Sequence, residues 1–473
     1  MILAIDQGTT GTTCLVVDGK LRPLGRGYRE IRQHFPLPGW VEHDPEEIWE
    51  SVLAATSDAL AAAGVRAADL TALGITNQRE TTVVWDRRTG RPVANAIVWQ
   101  DRRTADRCRE LPAGLLRERT GLVPDPYFSA TKLEWLLARH AGDLAFGTVD
   151  SWLVWKLTRG LVHATDPSNA SRTMLLSLAT LDWDPELLDL FGVPREILPE
   201  IAPSSGVLGE AELLGARVPI AGIAGDQQAA LFGQACFRPR QAKATYGTGS
   251  FVLANSGADW GPPPHGLLRT VAWRLADEAP VYALEGSIFV SGAALQWLRD
   301  GLGLIGDAAE SEELARSLTG NDGVYFVPAL VGLGSPHWTP ETRGLIAGPT
   351  RSTTRAHLAR AALEAIAYQT CDVLGAMGLG LEVIRADGGA TANRFLMQFQ
   401  ADVAGVPVEV AAEREATALG AAALAGLATG VWTSLDEIAR LRRPAERYEP
   451  AMEPGDAERL LSGWRLAVRR ALL

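Results

Sequence analysis

Four cysteines, Cys14, Cys108, Cys236 and Cys371, are all that the 473-residue sequence contains, and they lie far apart. No C-x-x-C pair occurs, so neither a zinc ribbon nor a disulfide scaffold is suggested. The expectation is reduced thiols in a cytoplasm. The seven histidines show no H-E-x-x-H or comparable ligand spacing. Positive charge is not in excess either. A net charge of −11 offers no broad basic face for a nucleic-acid backbone, so nucleic acid is not expected as a partner. A long hydrophobic run is missing too. The longest small-apolar stretch, Ala418 to Trp432, is shorter than the roughly 20 apolar residues a bilayer span takes and is rich in Ala and Gly. It reads as a buried helix, and no membrane span is expected. Asp6 interrupts the first apolar run and no basic segment precedes it, so no signal peptide is expected. The phosphate loop G-x-x-x-x-G-K-[ST] is also absent.

What is present is an ordinary globular composition, 47% hydrophobic and 21% charged. One core rarely grows past about 250–300 residues, so two or more domains are expected. "MILAI" and "CLVVD" read as two strands of a hairpin joined by a Gly/Thr turn. "DPEEIWESVLAATSDALAAAG" reads as an amphipathic helix with Asp44 as N-cap, Pro45 in the first turn and Gly64 at its end. "ALGIT", "TTVVWD" and "VPIAGIAG" are further strands. Strands and helices alternate throughout, which makes the class α/β. "DPSNAS" (166–171), "PEIAPSSG" (199–206) and "DWGPPPHG" (259–266) read as loops. The single G-x-G-x-x-G, "GLGLIG" (301–306), follows a helical run rather than a strand and reads as a helix end and loop.

The opening "AIDQGTTGTT" sets a carboxylate, Asp6, before a turn of small residues. Such a turn lets backbone N–H groups approach an anion, threonine hydroxyls add donors, and the carboxylate can hold Mg²⁺. An ordinary hairpin is the alternative. "ATYGTGSFVLAN" (244–255) echoes it with a second G-T-G turn, a hint of one turn of this kind in each half. Asp226 follows a buried strand and precedes a helical run, where a carboxylate takes a proton from a substrate hydroxyl, binds metal, or simply caps the helix. "DGGATANRFLMQFQ", from Asp387, sets a Gly-Gly turn at a helix start, open to a flat ligand or a phosphate, or a plain strand-to-helix turn. Arg79 and Glu80 stand together at a strand end and can serve polyol hydroxyls as donor and acceptor, or form an exposed ion pair. Trp99 and Tyr127 can pack on a carbon skeleton or fill a core.

Together with "GWVEHDPEEIW", "GITNQRETTVVWDRRTGRPVANAIVWQDRRT", "DPYFSATKLEWLL", "GIAGDQQAALFGQ", "ALEGSIFVSGAALQWLRD" and "VPALVGLGSPHW", these stretches resemble the FGGY carbohydrate kinases along essentially the whole chain. The resemblance implies two ribonuclease H-like lobes of the actin and sugar-kinase type around a central cleft. It divides the chain at 1–234 and 235–473, with one phosphate-binding hairpin in each lobe. It implies ATP and Mg²⁺, with glycerol as the substrate phosphorylated. Thr9, Thr10, Gly11 and Thr13 would hold the triphosphate, and Thr248, Gly292, Gln296, Gly389 and Asn393 the rest of the nucleotide. Asp6 and Asp226 would serve the metal. Arg79, Glu80, Tyr127, Asp226 and Gln227 would bind the polyol, with Trp99 and Phe251 against its carbons and Asp226 as general base. A homo-oligomer, dimer or tetramer, is implied. Two departures stand out. Thr13 replaces an arginine common in the family, and "GEAELLGARVPI" (209–220) has Arg217 as its only cation where some relatives bind fructose bisphosphate, so no such inhibition is expected. Three rivals remain: a kinase for another polyol or a ketose, an actin-like nucleotide-dependent assembly protein without catalysis, and an inactive kinase.

Overall fold

The structure is a computed structural model describing residues 1–276, 278–413 and 415–473. The chain begins with β1 (Ile2–Gln7), β2 (Gly11–Val17) and β3 (Pro23–Glu30), an antiparallel meander. Helix α1 (Pro45–Ala63) follows. The Asp44 carboxylate accepts from the Glu46 N–H at 2.9 Å, Pro45 opens the first turn, and Gly64 closes the helix at φ 68°. The chain then enters β4 (Ala72–Asn77) and, after a helical insertion, the hairpin β5 (Ser205–Leu213) and β6 (Ala216–Gly225). These six strands form one sheet in the order β5-β6-β4-β1-β2-β3, with β6, β4 and β1 parallel.

Helix α2 (Asp226–Gly233) leads to a second sheet. Its strands are β7 (Gln241–Tyr246), β8 (Ser250–Gly257), β9 (Leu268–Trp273) and β10 (Val281–Ile288), then, after helix α3 (Arg355–Met377), β11 (Val383–Asp387) and β12 (Val408–Ala411). Helix α4 (Ala416–Ala428) precedes the last strand, β13 (Pro444–Tyr448). The order is β9-β10-β8-β7-β11-β12-β13, with β7, β11 and β12 parallel. No helix among the described residues is long and apolar enough to cross a membrane.

Strand alternation explains the layering. Leu3, Ile5, Cys14, Val16, Leu73 and Ile75 pack with Ile48, Val52 and Ala55 of α1. Their neighbours Ile2, Ala4, Leu15, Val17 and Ala72 point the other way, into a layer shared with α2, α4 and Leu253, Ala272 and Ala283 of the second sheet. The outer face of the second sheet packs on α3. The result is five layers, helix–sheet–helix–sheet–helix, with α2 and α4 between the two sheets. The stretch read as a buried helix from Ala418 to Trp432 is α4, which stops at Ala428 because Gly430 turns left-handed at φ 72°.

One loop reading is corrected. Residues 167–170 form a buried helical turn, because the Asp166 carboxylate caps the Ser168 and Asn169 N–H groups at 3.0 Å and Pro167 fixes the first position. The second is corrected in part: Glu200–Ile201 is a short strand and Ser205 already belongs to β5.

The α2–α4 contact leaves no room for side chains. A Cβ on Gly420 would sit 1.8 Å from the Ala229 carbonyl oxygen, and one on Gly233 2.1 Å from that of Ala416. Gly420→Ala is expected to lower stability by about 2–3 kcal/mol through overpacking. Gly375→Ala, in α3 where a Cβ would meet nothing within 4 Å, is expected to raise it by about 0.5–1 kcal/mol. Denaturant midpoints of the two variants check both signs.

Candidate active site

The parallel strands fix where the chemistry gathers. Gln7, Asn77 and Gly225 end β1, β4 and β6 side by side. The residues just past those ends, or at them, are Asp6 with the first Gly/Thr turn, Arg79 with Glu80, and Asp226 with Gln227. In the second sheet Thr245 of β7 lies beside Asp387 of β11, so the G-T-G turn and the Gly388–Gly389 turn are likewise neighbours. Carboxyl ends of parallel strands are where α/β sheets bind ligands.

The first turn is held from inside. The Gly8 N–H donates to Gly11 C=O at 2.9 Å, and the carbonyls of Gly8, Thr9 and Thr10 accept from Gln78 Nε2, Gln33 Nε2 and the Ile31 N–H at 3.2, 3.3 and 3.1 Å. The backbone N–H groups of Thr9 and Thr10 have no partner among the described residues. The carbonyls face the protein and the amides are left over, the polarity an anion requires. Gly11 fits because a Cβ there would lie 2.5 Å from the Arg29 carbonyl oxygen. Thr13 is not on this turn. It is buried in β2, opposite Asp6 and Tyr28.

The second turn repeats the pattern, with the Gly247 N–H on Gly249 C=O at 2.9 Å and the Ser291, Gly292 and Ala293 N–H groups bracing its carbonyls. A cavity of about 560 Å³ opens beside it. Thr248, Gly292, Gln296, Gly389 and Asn393, drawn from three separate stretches of sequence, all line it. The Asn393 side-chain oxygen Oδ1 is committed to capping the next helix, accepting from the Leu396 N–H at 2.9 Å.

Arg79 and Glu80 are not the exposed ion pair of the alternative reading: both are buried, and Nε–Oε1 is a loose 3.8 Å. Each has its own partner. The two terminal nitrogens of Arg79 grip both oxygens of Glu285 on β10, at 2.6 and 3.1 Å. Glu80 takes the Arg172 Nε–H at 2.6 Å, and Arg172 also reaches Glu285 at 3.1 Å. Glu80 holds a left-handed backbone, φ 62°, inside a turn closed by the Thr81 N–H on Arg79 C=O at 2.7 Å. Such strain in a non-glycine residue marks a constrained site. Arg79 also donates to the Tyr127 hydroxyl at 3.1 Å, and its Nε lies 3.2 Å from Asp226 Oδ1. Trp99 meets Tyr127 edge-on at 5.6 Å and donates its indole N–H to Thr9 Oγ1 at 2.8 Å, joining the Arg79–Tyr127 cluster to the first turn. Phe251 is half-buried on β8, opposite Thr245 and Ser287.

Burial, and then the charges of Asp226 and Glu415, push the Asp6 carboxyl well above the usual carboxylate range. No donor hydrogen-bonds its side chain among the described residues. A carboxylate crowded by another carboxylate, both of them hard oxygen ligands, fits a Mg²⁺ ion that keeps most of its waters.

Three participants are not apparent from local pattern. Arg172 and Glu285 are charges inside otherwise buried segments, "DPSNASRTML" and "VYALEGSI", and that incongruity is their signal. Lys243 is the third. It donates to Gln227 Oε1 and to Thr245 Oγ1, and burial pulls its pKa down to about 8.

Comparison with known proteins decides the family. The N-terminal domain of the FGGY family of carbohydrate kinases matches residues 1–233, and its C-terminal domain residues 242–429. The chain belongs to the FGGY family of carbohydrate kinases. It is 54% identical to glycerol kinase 2 of Thermotoga maritima, over 100% of this chain and 98% of that one. It is 55% identical to the glycerol kinase of Symbiobacterium thermophilum, over 99% and 98%. The crystal structure of Plasmodium falciparum glycerol kinase with ADP superposes at TM-score 0.95 and 36% identity, covering 100% of this chain and 98% of that one. A ligand-bound xylulose kinase from Lactobacillus acidophilus, TM-score 0.89 at 22% identity, shares the fold.

The indole–Thr9 bond yields a test within this family. Trp99→Phe keeps the ring but loses the donor, and is expected to raise the KM for MgATP about fivefold, the worth of one hydrogen bond of about 1 kcal/mol. Initial rates at saturating acceptor measure it.

Proposed function

We propose that this chain transfers the γ-phosphoryl group of ATP to a primary hydroxyl of glycerol, yielding glycerol 3-phosphate and ADP. The observation that carries the reading is the 54–55% identity, over nearly the whole of both chains, to proteins named for glycerol phosphorylation. The clustering of Arg79, Glu80, Tyr127 and Asp226 in one network, its Arg79–Glu80 end buried and its Asp226 end partly exposed, supports it from the geometry.

Phosphoryl transfer asks the protein mainly to position reactants in line and to neutralise charge. The free Thr9 and Thr10 amides and the second turn take phosphate oxygens, and the cavity beside Thr248 takes the nucleoside. Asp6 and Asp226 would hold Mg²⁺, which supplies positive charge to the phosphate oxygens when bound. One Asp226 oxygen is already engaged by the Gln227 N–H at 2.7 Å and faces Arg79 Nε. The other has no partner among the described residues, and accepts the proton of the attacking hydroxyl as the O–P bond forms. Arg79 Nε–H, Glu80, Tyr127 and Gln227 orient the remaining hydroxyls, while Trp99 and Phe251 cover the carbons and help exclude water. A cytoplasmic homo-oligomer, dimer or tetramer, with lobes at 1–234 and 235–473, completes the proposal.

ADP release from MgATP with and without glycerol tests it. Turnover is expected to depend on glycerol, to fall about 10²–10⁴-fold in Asp226→Asn, to stop on chelation of divalent cations and to return with Mg²⁺. Glycerol-independent ADP release, or an Asp226→Asn variant as fast as wild type, contradicts it.

A further inference from the structure

Arg79 has five N–H bonds to give, and the structure accounts for four. Nη1 donates to Glu285 Oε2 at 2.6 Å and to Gln228 Oε1 at 3.3 Å. Nη2 donates to Glu285 Oε1 and to Tyr127 Oη, each at 3.1 Å. The fifth, on Nε, is buried and has no hydrogen-bond partner; Asp226 Oδ1 lies 3.2 Å from the nitrogen but off the N–H direction. A guanidinium normally presents a two-pronged face that suits a carboxylate or phosphate. Here that face is filled from the opposite sheet, by a carboxylate on β10.

The charges balance as well. Arg79 and Arg172 meet Glu80 and Glu285, all four side chains at most 1% exposed. Burial alone would raise the Glu285 carboxyl, but Arg172 and Arg79 outweigh it and hold it at about 2, so it stays ionised. The charged group nearest the unpartnered Nε–H is the Asp226 carboxylate, with Oδ1 3.2 Å from the nitrogen.

We propose that Glu285 is the positioning residue that sets the specificity of the polyol site: by occupying both terminal nitrogens of Arg79 it leaves one donor and no two-pronged cationic face, so the site takes a neutral hydroxyl and refuses a three-carbon carboxylate. This rests on the glycerol reading above. The Nε–H gives one hydrogen bond to a hydroxyl oxygen, and Asp226 receives that hydroxyl's proton side. A carboxylate in the same place meets one donor and a like charge.

The experiment compares glycerol with glycerate, the same skeleton with one carbinol oxidised to a carboxylate. Wild type, Glu285→Gln and Glu285→Asp are examined by calorimetry in the presence of ADP and by steady-state kinetics. Wild type is expected to bind glycerate at least about tenfold more weakly than glycerol, the cost of an unpaired charge next to Asp226. In Glu285→Gln the amide offers one accepting oxygen in place of two, sets an NH2 donor against the other arginine nitrogen, and leaves the arginine charge uncovered. The KM for glycerol is expected to rise about tenfold or more, the KM for MgATP to change less than about twofold, and the glycerate-to-glycerol affinity ratio to rise about tenfold. Glu285→Asp keeps the charge with a shorter reach, and is expected to raise the glycerol KM while the affinity ratio stays near wild type. Equal binding of glycerate and glycerol by wild type overturns the proposal without any variant. So does an unchanged ratio in Glu285→Gln or, if that variant does not fold, an unchanged glycerol KM in folded Glu285→Asp. Wild-type turnover with glycerol scores the proposed function separately, because the affinity ratio needs no turnover.

Discussion

The carboxylate of Glu285 joins the two halves of the molecule through buried charge. It comes from the middle of a strand in the second sheet and is shared by Arg79 and Arg172, which belong to the first half of the chain. Buried ions are expensive, and removing one member of such a set costs about 3–5 kcal/mol because the others are left unpaired. Arg79 can therefore sit between Tyr127 and Asp226 only while the sheets keep the separation that lets Glu285 reach it. The five-layer packing and the glycine contact between α2 and α4 both maintain that separation. Through Arg172 the same carboxylate steadies Glu80, whose left-handed backbone needs surroundings that over-determine it.

One backbone device occurs twice, once at each sheet. Each sheet ends a parallel strand pair beside a tight turn whose carbonyls are turned inward and whose amides are left over. A turn of Gly and Thr does this cheaply, since side-chain bulk would hold an anion away from the backbone. Trp99 then ties the first turn to Tyr127, and Lys243 ties Gln227 to Thr245 at the foot of the second. Each Gly/Thr turn is thus tied to the cluster around Arg79 and Asp226. A reaction that must bring a hydroxyl and a phosphoryl group into line benefits from that linkage.

What was legible in the sequence was local. The hairpin of β1 and β2, helix α1 with its Asp44 and Gly64 caps, and Asp226 at a strand-to-helix junction are set by residues within a few positions of one another. The two-lobe arrangement came from resemblance, because pairing such as β7 with β11 spans more than a hundred residues and leaves no local trace. The same reason hid the partners of Arg79 and Glu80: Glu285 is 206 positions from Arg79, and Arg172 92 from Glu80. Residues 166–171 misled for a different reason. Their composition is that of a loop, and only the Asp166 cap and complete burial make them a helical turn.

The most direct measurement of the central claim is identification of the phosphorylated product. Equal amounts of glycerol, xylulose and gluconate are offered together with limiting MgATP, and the products are resolved by phosphorus NMR and mass spectrometry. The account predicts glycerol 3-phosphate as the dominant product, formed in step with ADP. A sugar phosphate as the main product, or ADP accumulating without phosphorylated glycerol, would contradict it.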